Sequence, residues 1–174
     1  MADGSAGIMV RPTVLKDAVA VEHVLRASYS VLLAGAYPGE LIGRVLPHMT
    51  RANPQLLGSG TYYLAEIGGI PVGCGGWTPE KPGSTEVVVG IGHIRHFATD
   101  PRWVRCGIGR RLYDRCEVDA RRAGMLILEC YSTLNGEAFY ATLGFRRIGR
   151  LRVPMGGSAF AATHMAKSIA LVGG

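Results

Sequence analysis

Cysteine, aromatic residues and long apolar runs are all scarce in this chain of 174 residues. The four cysteines form no CxxC pair, so we expect neither a disulfide framework nor a thiolate zinc site. Aromatic residues make up 7% of the chain, and no recognisable nucleic-acid-reading motif accompanies them. No apolar run approaches the ~18 residues that a membrane-spanning helix needs. These absences argue against a membrane protein, a small disulfide-held scaffold and a nucleic-acid reader.

Processing and linker signals are also missing. The opening MADGSAGIMVRP has neither the basic nor the apolar region of a signal peptide, which predicts a cytoplasmic location. No Pro-rich or Ser-rich linker and no internal repeat divides the chain. The 48% of hydrophobic residues and 18% of charged residues are typical of a folded globular protein. We therefore expect one domain over residues 1–174, with residues 1–7 disordered.

Glycine and arginine are present in excess. The chain contains 25 glycines, well above the average of ~7%. Its net charge is +6, and residues 95–152 alone hold 12 arginines against 6 acidic residues, so this segment carries the whole excess. Such a concentration indicates an anionic ligand, either a phosphorylated cofactor or a nucleic acid. An arginine-rich, solvated helix face would give the same count, so the charge alone does not show that an anionic ligand binds.

Hydrophobic periodicity and turn residues predict an α/β domain with the order β-α-α-β-β-β-α-β-α-β-β and a mixed sheet. The predicted strands are 9–12, 61–67, 70–77, 92–99, 125–131, 145–153 and 159–168. The predicted helices are 16–29, 40–49, about 109–123 and 135–143. Three glycines in the third of these strands indicate that another chain segment or a ligand packs closely against it.

The segment VRCGIGRR carries the strongest chemical signal. Gly107 and Gly109 lie where a strand hands over to a helix, so several backbone N–H groups could converge on one anion beside the helix dipole. The segment is not the dinucleotide motif GxGxxG, because Leu112 stands where the third glycine belongs, and it lacks the GK[ST] of a Walker loop. When the segment is considered alone, a tight turn explains its glycines equally well.

Two longer segments resemble motifs of the GCN5-related N-acetyltransferase (GNAT) family. FATDPRWVRCGIG, ending at Gly109, resembles motif A with its pattern Q/R-x-x-G-x-G/A, although Val104 takes the first position. LECYSTLNGEAFYATLGF resembles motif B, with Asn135 and Tyr140 in the expected places. The opening strand and helix and the hairpin TYYLAEIGGIPVGCGGW are also similar to that family, so the resemblance covers nearly the whole chain.

The resemblance implies a fold and a co-substrate. The fold is a mixed, mostly antiparallel sheet of six to seven strands, flanked by about four helices, in which a bulged fourth strand splays from the fifth in a V. The pantetheine arm of acetyl-CoA fills that gap like an added strand. Residues implied at the pantetheine arm are Phe97, Ala98, Thr99 and Asn135. Those implied at the pyrophosphate are Arg105, Cys106, Gly107, Ile108, Gly109 and Arg110. No metal is implied.

The resemblance also implies direct transfer of acetyl from the thioester to an amine. Tyr140 matches the family tyrosine that protonates the leaving thiolate. The base stays open between His93, on the fourth strand, and Glu129, a charge in an otherwise apolar strand that needs a partner or a role. His96 and Glu86 are weaker candidates. Simple alternation places His93 and Arg95 on the same face as Phe97, and His96 on the other.

The sequence thus predicts an acetyl-CoA-dependent N-acetyltransferase for a primary amine of unknown identity, on a small molecule or a peptide. The alternative is a non-catalytic acyl-CoA-binding regulatory domain of the same fold, against which the presence of Tyr140 argues. A nucleic-acid-binding module is supported by charge alone. We expect no nucleic-acid or membrane partner, and a homodimer is left open.

Overall fold

The computed structural model describes residues 7–171, so the predicted disorder of the N-terminal segment lies outside the described residues except for Gly7. The strands are β1 (Ile8–Pro12), β2 (Tyr62–Ile67), β3 (Ile70–Thr78), β4 (Ile91–Thr99), β5 (Ile127–Ser132), β6 (Arg146–Met155) and β7 (Ser158–Ser168). The helices are α1 (Ala18–Leu32), α2 (Gly39–Met49), α3 (Pro54–Leu57), α4 (Ile108–Arg122) and α5 (Glu137–Thr142). Every predicted strand and helix is present. The additional α3 is a single turn, capped by Asn53, and is too short to show periodicity.

The seven strands form one sheet in the order β1-β2-β3-β4-β5-β7-β6. All neighbouring strands are antiparallel except β4 and β5, which run parallel. Their register covers only three pairs, from Ile91 with Ile127 to His93 with Glu129, and the strands then separate. This confirms the predicted V, which we call the splay: the gap between residues 94–99 of β4 and 130–132 of β5.

A β-bulge interrupts β4 beside the splay. The pairing with β3 steps from Cys74 opposite Ala98 to Gly76 opposite Arg95, so β4 holds one extra residue there. His96, at the bulge, has a φ of 46°. The extra residue shifts the alternation, so Phe97 packs on the α4 side of the sheet and His96 lies on the α1 side. The predicted face assignment of these two residues is therefore wrong.

Two apolar clusters cover the two faces of the sheet. On one face α4 buries the predicted stripe of Ile108, Leu112, Cys116 and Ala120. On the other face lie α1 and α2, which bury side chains such as Leu25.

The glycines of β3 allow the close packing that the sequence indicated. A Cβ added at Gly73 would lie 2.5 Å from Ile108, and one at Gly75 would lie 2.6 Å from Phe97. The approaching groups are thus side chains of the same chain. Within residues 7–171, no helix is both long enough and apolar enough to span a membrane.

Candidate functional site

The loop before α4 exposes backbone donors. Arg105 and Gly107 both have positive φ, of 62° and 79°, and Gly107 is the N-cap of α4 without a side chain that caps it. The first helical hydrogen bond runs from the Arg111 N–H to the Gly107 carbonyl, so the N–H groups of residues 108–110 have no acceptor within the helix. The positive end of the helix dipole lies at the same place. This geometry suits a phosphate or another anion.

The two glycines of the loop serve different purposes. Nothing lies within 4 Å of a Cβ added at Gly107, so its φ alone explains the glycine. A Cβ at Gly109 would lie 2.9 Å from Cζ of Phe139, so this glycine lets α4 pack against α5. Gly109 thereby connects the loop to the helix that carries Tyr140. Cys106 and Arg105 are exposed in the same loop, and all four cysteines are free thiols.

The splay leaves main-chain groups of β4 available. The Asp100 N–H donates to the Val72 carbonyl of β3 at 2.9 Å. Main-chain groups point alternately to the two sides of a strand, so those of Ala98 also point to β3. Phe97 and Thr99 therefore direct their N–H and C=O groups towards the splay. The Tyr29 hydroxyl donates to the Phe97 carbonyl at 3.0 Å. The splay thus has an edge that a ligand can pair with.

Tyr140 lies at the splay, on α5. It is 8% exposed, and its ring packs edge-on against Phe97, Phe139 and Phe145, with centroids 5.1–6.4 Å apart. Among residues 7–171 its hydroxyl has no hydrogen-bond partner. Burial raises the pKa of Tyr140 well above its ordinary value of 10, so the phenol is protonated at neutral pH.

The two predicted base candidates meet at the closed end of the splay, together with a third side chain that the sequence did not indicate. Nδ1 of His93 lies 4.0 Å from Oε2 of Glu129, and Nε2 of His164 lies 3.2 Å from the same oxygen. We call His93, Glu129 and His164 the polar cluster. Its carboxylate lies between two imidazoles. His164 comes from β7, beside Tyr131 of β5, and only the strand order could have revealed this neighbour.

The charge state of His93 follows from its surroundings. The side chain is buried, and burial lowers the pKa of His93 below its ordinary value of 6.5. The carboxylate of Glu129 raises the pKa and offsets part of this effect, while Arg95 and Lys81 lower it further. His93 is therefore a neutral imidazole at pH 7, able to accept a proton.

The weaker candidates lie outside the polar cluster. His96 packs beneath α1 with Val21 and Leu25, and burial lowers its pKa to about 4. Glu86 is exposed in the loop between β3 and β4. Within residues 7–171, no group of three or more His, Cys, Asp or Glu side chains is arranged to hold a metal ion.

Asn135 lies in the loop between β5 and α5, where it contacts the end of α1. Its Nδ2 donates to the Leu32 carbonyl, and the neighbouring Leu134 N–H donates to the Tyr37 hydroxyl at 2.8 Å. The Tyr37 hydroxyl in turn donates to the Ala161 carbonyl of β7 at 2.7 Å. These bonds fix the loop that precedes Tyr140.

Comparison with known proteins identifies the family. Residues 58–147, just over half of the chain, match the acetyltransferase (GNAT) domain. The chain belongs to the GNAT family. The match begins before β2 and ends after Tyr140, so it includes the splay, the loop before α4 and α5. No curated protein matches the sequence.

Solved structures show the GNAT fold over nearly the whole chain. A GCN5-related N-acetyltransferase from Rhodopseudomonas palustris is 26% identical, with a TM-score of 0.79, over 93% of this chain and 96% of that one. PaiA N-acetyltransferase from Thermoplasma acidophilum, in complex with coenzyme A, is 19% identical, with a TM-score of 0.66, over 92% and 98%. YncA from Salmonella typhimurium, with acetyl-CoA, is 14% identical, with a TM-score of 0.63, over 97% of each chain. The last two show the fold alone.

Proposed function

We propose that this GNAT protein is an acetyl-CoA-dependent N-acetyltransferase that moves acetyl directly from the thioester to a primary amine. The observation that carries this proposal is the splay. It has main-chain groups on β4 that pair with no neighbouring strand, a buried phenol on one side and the polar cluster at its closed end. Two proteins of the same fold hold coenzyme A or acetyl-CoA, which supports this choice of co-substrate.

Acetyl-CoA would bind along the splay and across the N-terminus of α4. Main-chain groups of Phe97 and Thr99 would pair with the pantetheine arm, with Ala98 between them and Asn135 beyond them. The free N–H groups at the start of α4, those of Ile108, Gly109 and Arg110, would hold the pyrophosphate. The exposed side chains of Arg105 and Arg110 supply positive charge at that point, and the loop backbone at Cys106 and Gly107 completes the cradle.

The chemistry removes two protons from the acceptor nitrogen and supplies one proton to the leaving thiolate. The polar cluster would take a proton from the ammonium group of the acceptor, with His93 neutral and ready to accept it. The amine nitrogen then attacks the thioester carbonyl carbon, and the new C–N bond forms as the C–S bond breaks. The departing thiolate takes the phenolic proton of Tyr140, which burial has kept in place. The second proton on the nitrogen then returns to the Tyr140 phenolate, so the products are an amide, free CoA thiol and the one proton that the polar cluster holds.

Release of CoA thiol from acetyl-CoA in the presence of a broad panel of amines tests this proposal. We expect at least one class of amine to accelerate thiol release in proportion to enzyme concentration, and a melting-temperature rise with acetyl-CoA alone. A thermal shift without thiol release for any amine would instead favour the non-catalytic acyl-CoA-binding domain. Salt-sensitive binding of arbitrary DNA, without a thermal shift from acetyl-CoA, would overturn both readings.

A further inference from the structure

Arg95, beside the polar cluster, lacks the carboxylate partner that the other partly exposed arginines have. Within residues 7–171, three arginines are only partly exposed: Arg11, Arg95 and Arg115. Arg11 pairs with Asp17 and Glu66, and Arg115 pairs with Asp119 at 2.7 Å. Arg95 has no carboxylate oxygen within 4.0 Å in this part of the chain. A partly buried charge without a counter-charge is costly unless a ligand supplies one.

Most of the donors of Arg95 are unused. A guanidinium has five N–H donors in a planar fork that matches a carboxylate. For Arg95 one hydrogen bond is present among the described residues, from Nη1 to Oγ1 of Thr78 at 2.9 Å. That hydroxyl donates onward to the Glu80 carbonyl at 2.9 Å, which fixes its orientation. The remaining donors are free to bind an anion.

The position of Arg95 ties it to the proposed reaction. His93 and Arg95 are two residues apart on β4, before the bulge, so they share the α1 side of the sheet at a spacing of about 6–7 Å. Glu129 lies directly opposite His93 on β5. A negative carboxylate and a positive guanidinium thus lie at neighbouring positions on one face. This pairing is complementary to a molecule that carries both an ammonium group and a carboxylate.

We propose that Arg95 binds a carboxylate of the acceptor, so that the substrates of this protein are amines with a carboxylate a few atoms from the reacting nitrogen. The inference rests on the proposed function and narrows its substrate class. The ammonium end lies against Glu129 and His93, and the carboxylate lies against the guanidinium. A free amino acid meets this requirement, and so does a peptide whose second residue is acidic.

Glu80 is the competing explanation within the chain. Its side chain is exposed, and its charge raises the pKa of Arg95 against the lowering caused by burial. A loop movement could bring its carboxylate to Arg95. In that case Arg95 and Glu80 would be a structural pair, and their substitutions would change stability together without changing substrate preference.

Matched substrates test the inference directly. The panel contains amino acids, their carboxamides, and C-terminally amidated dipeptides with glutamate or glutamine in second place, assayed by release of CoA thiol. For the unmodified protein we expect kcat/KM of the carboxylates to exceed that of the matched amides by roughly 10- to 100-fold, the effect of a hydrogen bond to a charged group. R95Q should remove that preference by lowering kcat/KM for the carboxylates alone, and R95K should fall between. R146Q, at an exposed arginine on β6, is the matched control and should keep the preference.

Each outcome decides one of the alternatives. Equal rates for acids and amides, or an equal loss for both in R95Q, would overturn the inference while leaving the acetyltransferase proposal intact. Equal melting-temperature losses in E80Q and R95Q, with no change in preference, would assign Arg95 to Glu80. If acetyl-CoA binds and no amine releases thiol, the proposed function fails. Calorimetry of the same acids and amides, with acetyl-CoA present, then tests the carboxylate site independently of catalysis. Binding of acids that R95Q abolishes would support the carboxylate site, and absence of such binding would overturn it.

Discussion

Burial shifts the pKa values of two titratable side chains of the site in opposite directions. It raises the pKa of the Tyr140 phenol and lowers the pKa of the His93 imidazole, because in each case it disfavours the charged form. Both groups are therefore neutral near pH 7. A neutral phenol can donate a proton and a neutral imidazole can accept one, which is the combination that acetyl transfer to an ammonium group requires.

Replacing Tyr140 with phenylalanine separates chemistry from packing. Tyr140→Phe keeps the ring contacts with Phe97, Phe139 and Phe145, so we expect the fold and the affinity for acetyl-CoA to persist. With the proton donor removed, kcat should fall by roughly 10²–10⁴. Steady-state rates with an acceptor from the amine panel measure this.

Tyr113 offers a matched control for that substitution. It is also buried and packs edge-on against Phe145, with centroids 5.7 Å apart, but it lies on α4, away from the splay. Tyr113→Phe should leave kcat near that of the parent. A Tyr140→Phe rate within twofold of the parent, with chemistry rate-limiting, would make Tyr140 a packing residue and place the proton source elsewhere.

At the scale of elements, the loop before α4 depends on a backbone conformation that side chains resist. Gly107 has a φ of 79° with open space around it, so a bulky residue there strains the loop and covers the N–H groups without disturbing the core. Gly107→Val should weaken acetyl-CoA binding at least tenfold by calorimetry, about 1.4 kcal/mol.

Gly149 on β6 is the control for that substitution, because it has open space around it and no positive φ. Gly149→Ala should bind acetyl-CoA as the parent does. Unchanged affinity in a folded Gly107→Val protein would show that the loop does not hold the co-substrate. Gly109 is less suitable for this test, because a side chain there would displace Phe139 and, with it, the helix that carries Tyr140.

Local patterns were sufficient to predict the elements, and non-local pairing explains what they missed. The stripe on α4 and the glycine-rich loop are features of contiguous residues, so periodicity and motif resemblance predicted them. The family resemblance implied the bulge in β4, but its position depends on how β4 pairs with β3, so simple alternation misplaced Phe97 and His96. His164 joins Glu129 only because β7 lies beside β5, which follows from strand order and not from spacing along the chain.

At the scale of the whole molecule, the splay divides the sheet into two halves. One comprises β1 to β4, the other β5, β7 and β6, and in the sheet they meet through three register pairs. Contacts at either side of the splay add to this connection: the Tyr37 hydroxyl bonds to Leu134 and Ala161, and Phe97 packs on Tyr140. A ligand that fills the splay would therefore join two parts that few hydrogen bonds connect.

Acetyl-CoA should stabilise the protein through this joint, and amide hydrogen exchange can locate the effect. At a concentration of 100 times Kd, binding to the folded state alone contributes about 2.7 kcal/mol. For a chain of this size, that corresponds to a melting-temperature rise of roughly 5–10 °C.

Exchange should slow at Phe97 and Thr99 on β4 and at residues 108–110 of α4. The amides at the closed end of the splay, already paired between β4 and β5, should change little. Gly107→Val at the same acetyl-CoA concentration should show a smaller shift and weaker protection at every one of these positions. Protection confined to the start of α4, with β4 unchanged, would mean that the phosphates bind and the pantetheine arm does not enter the splay.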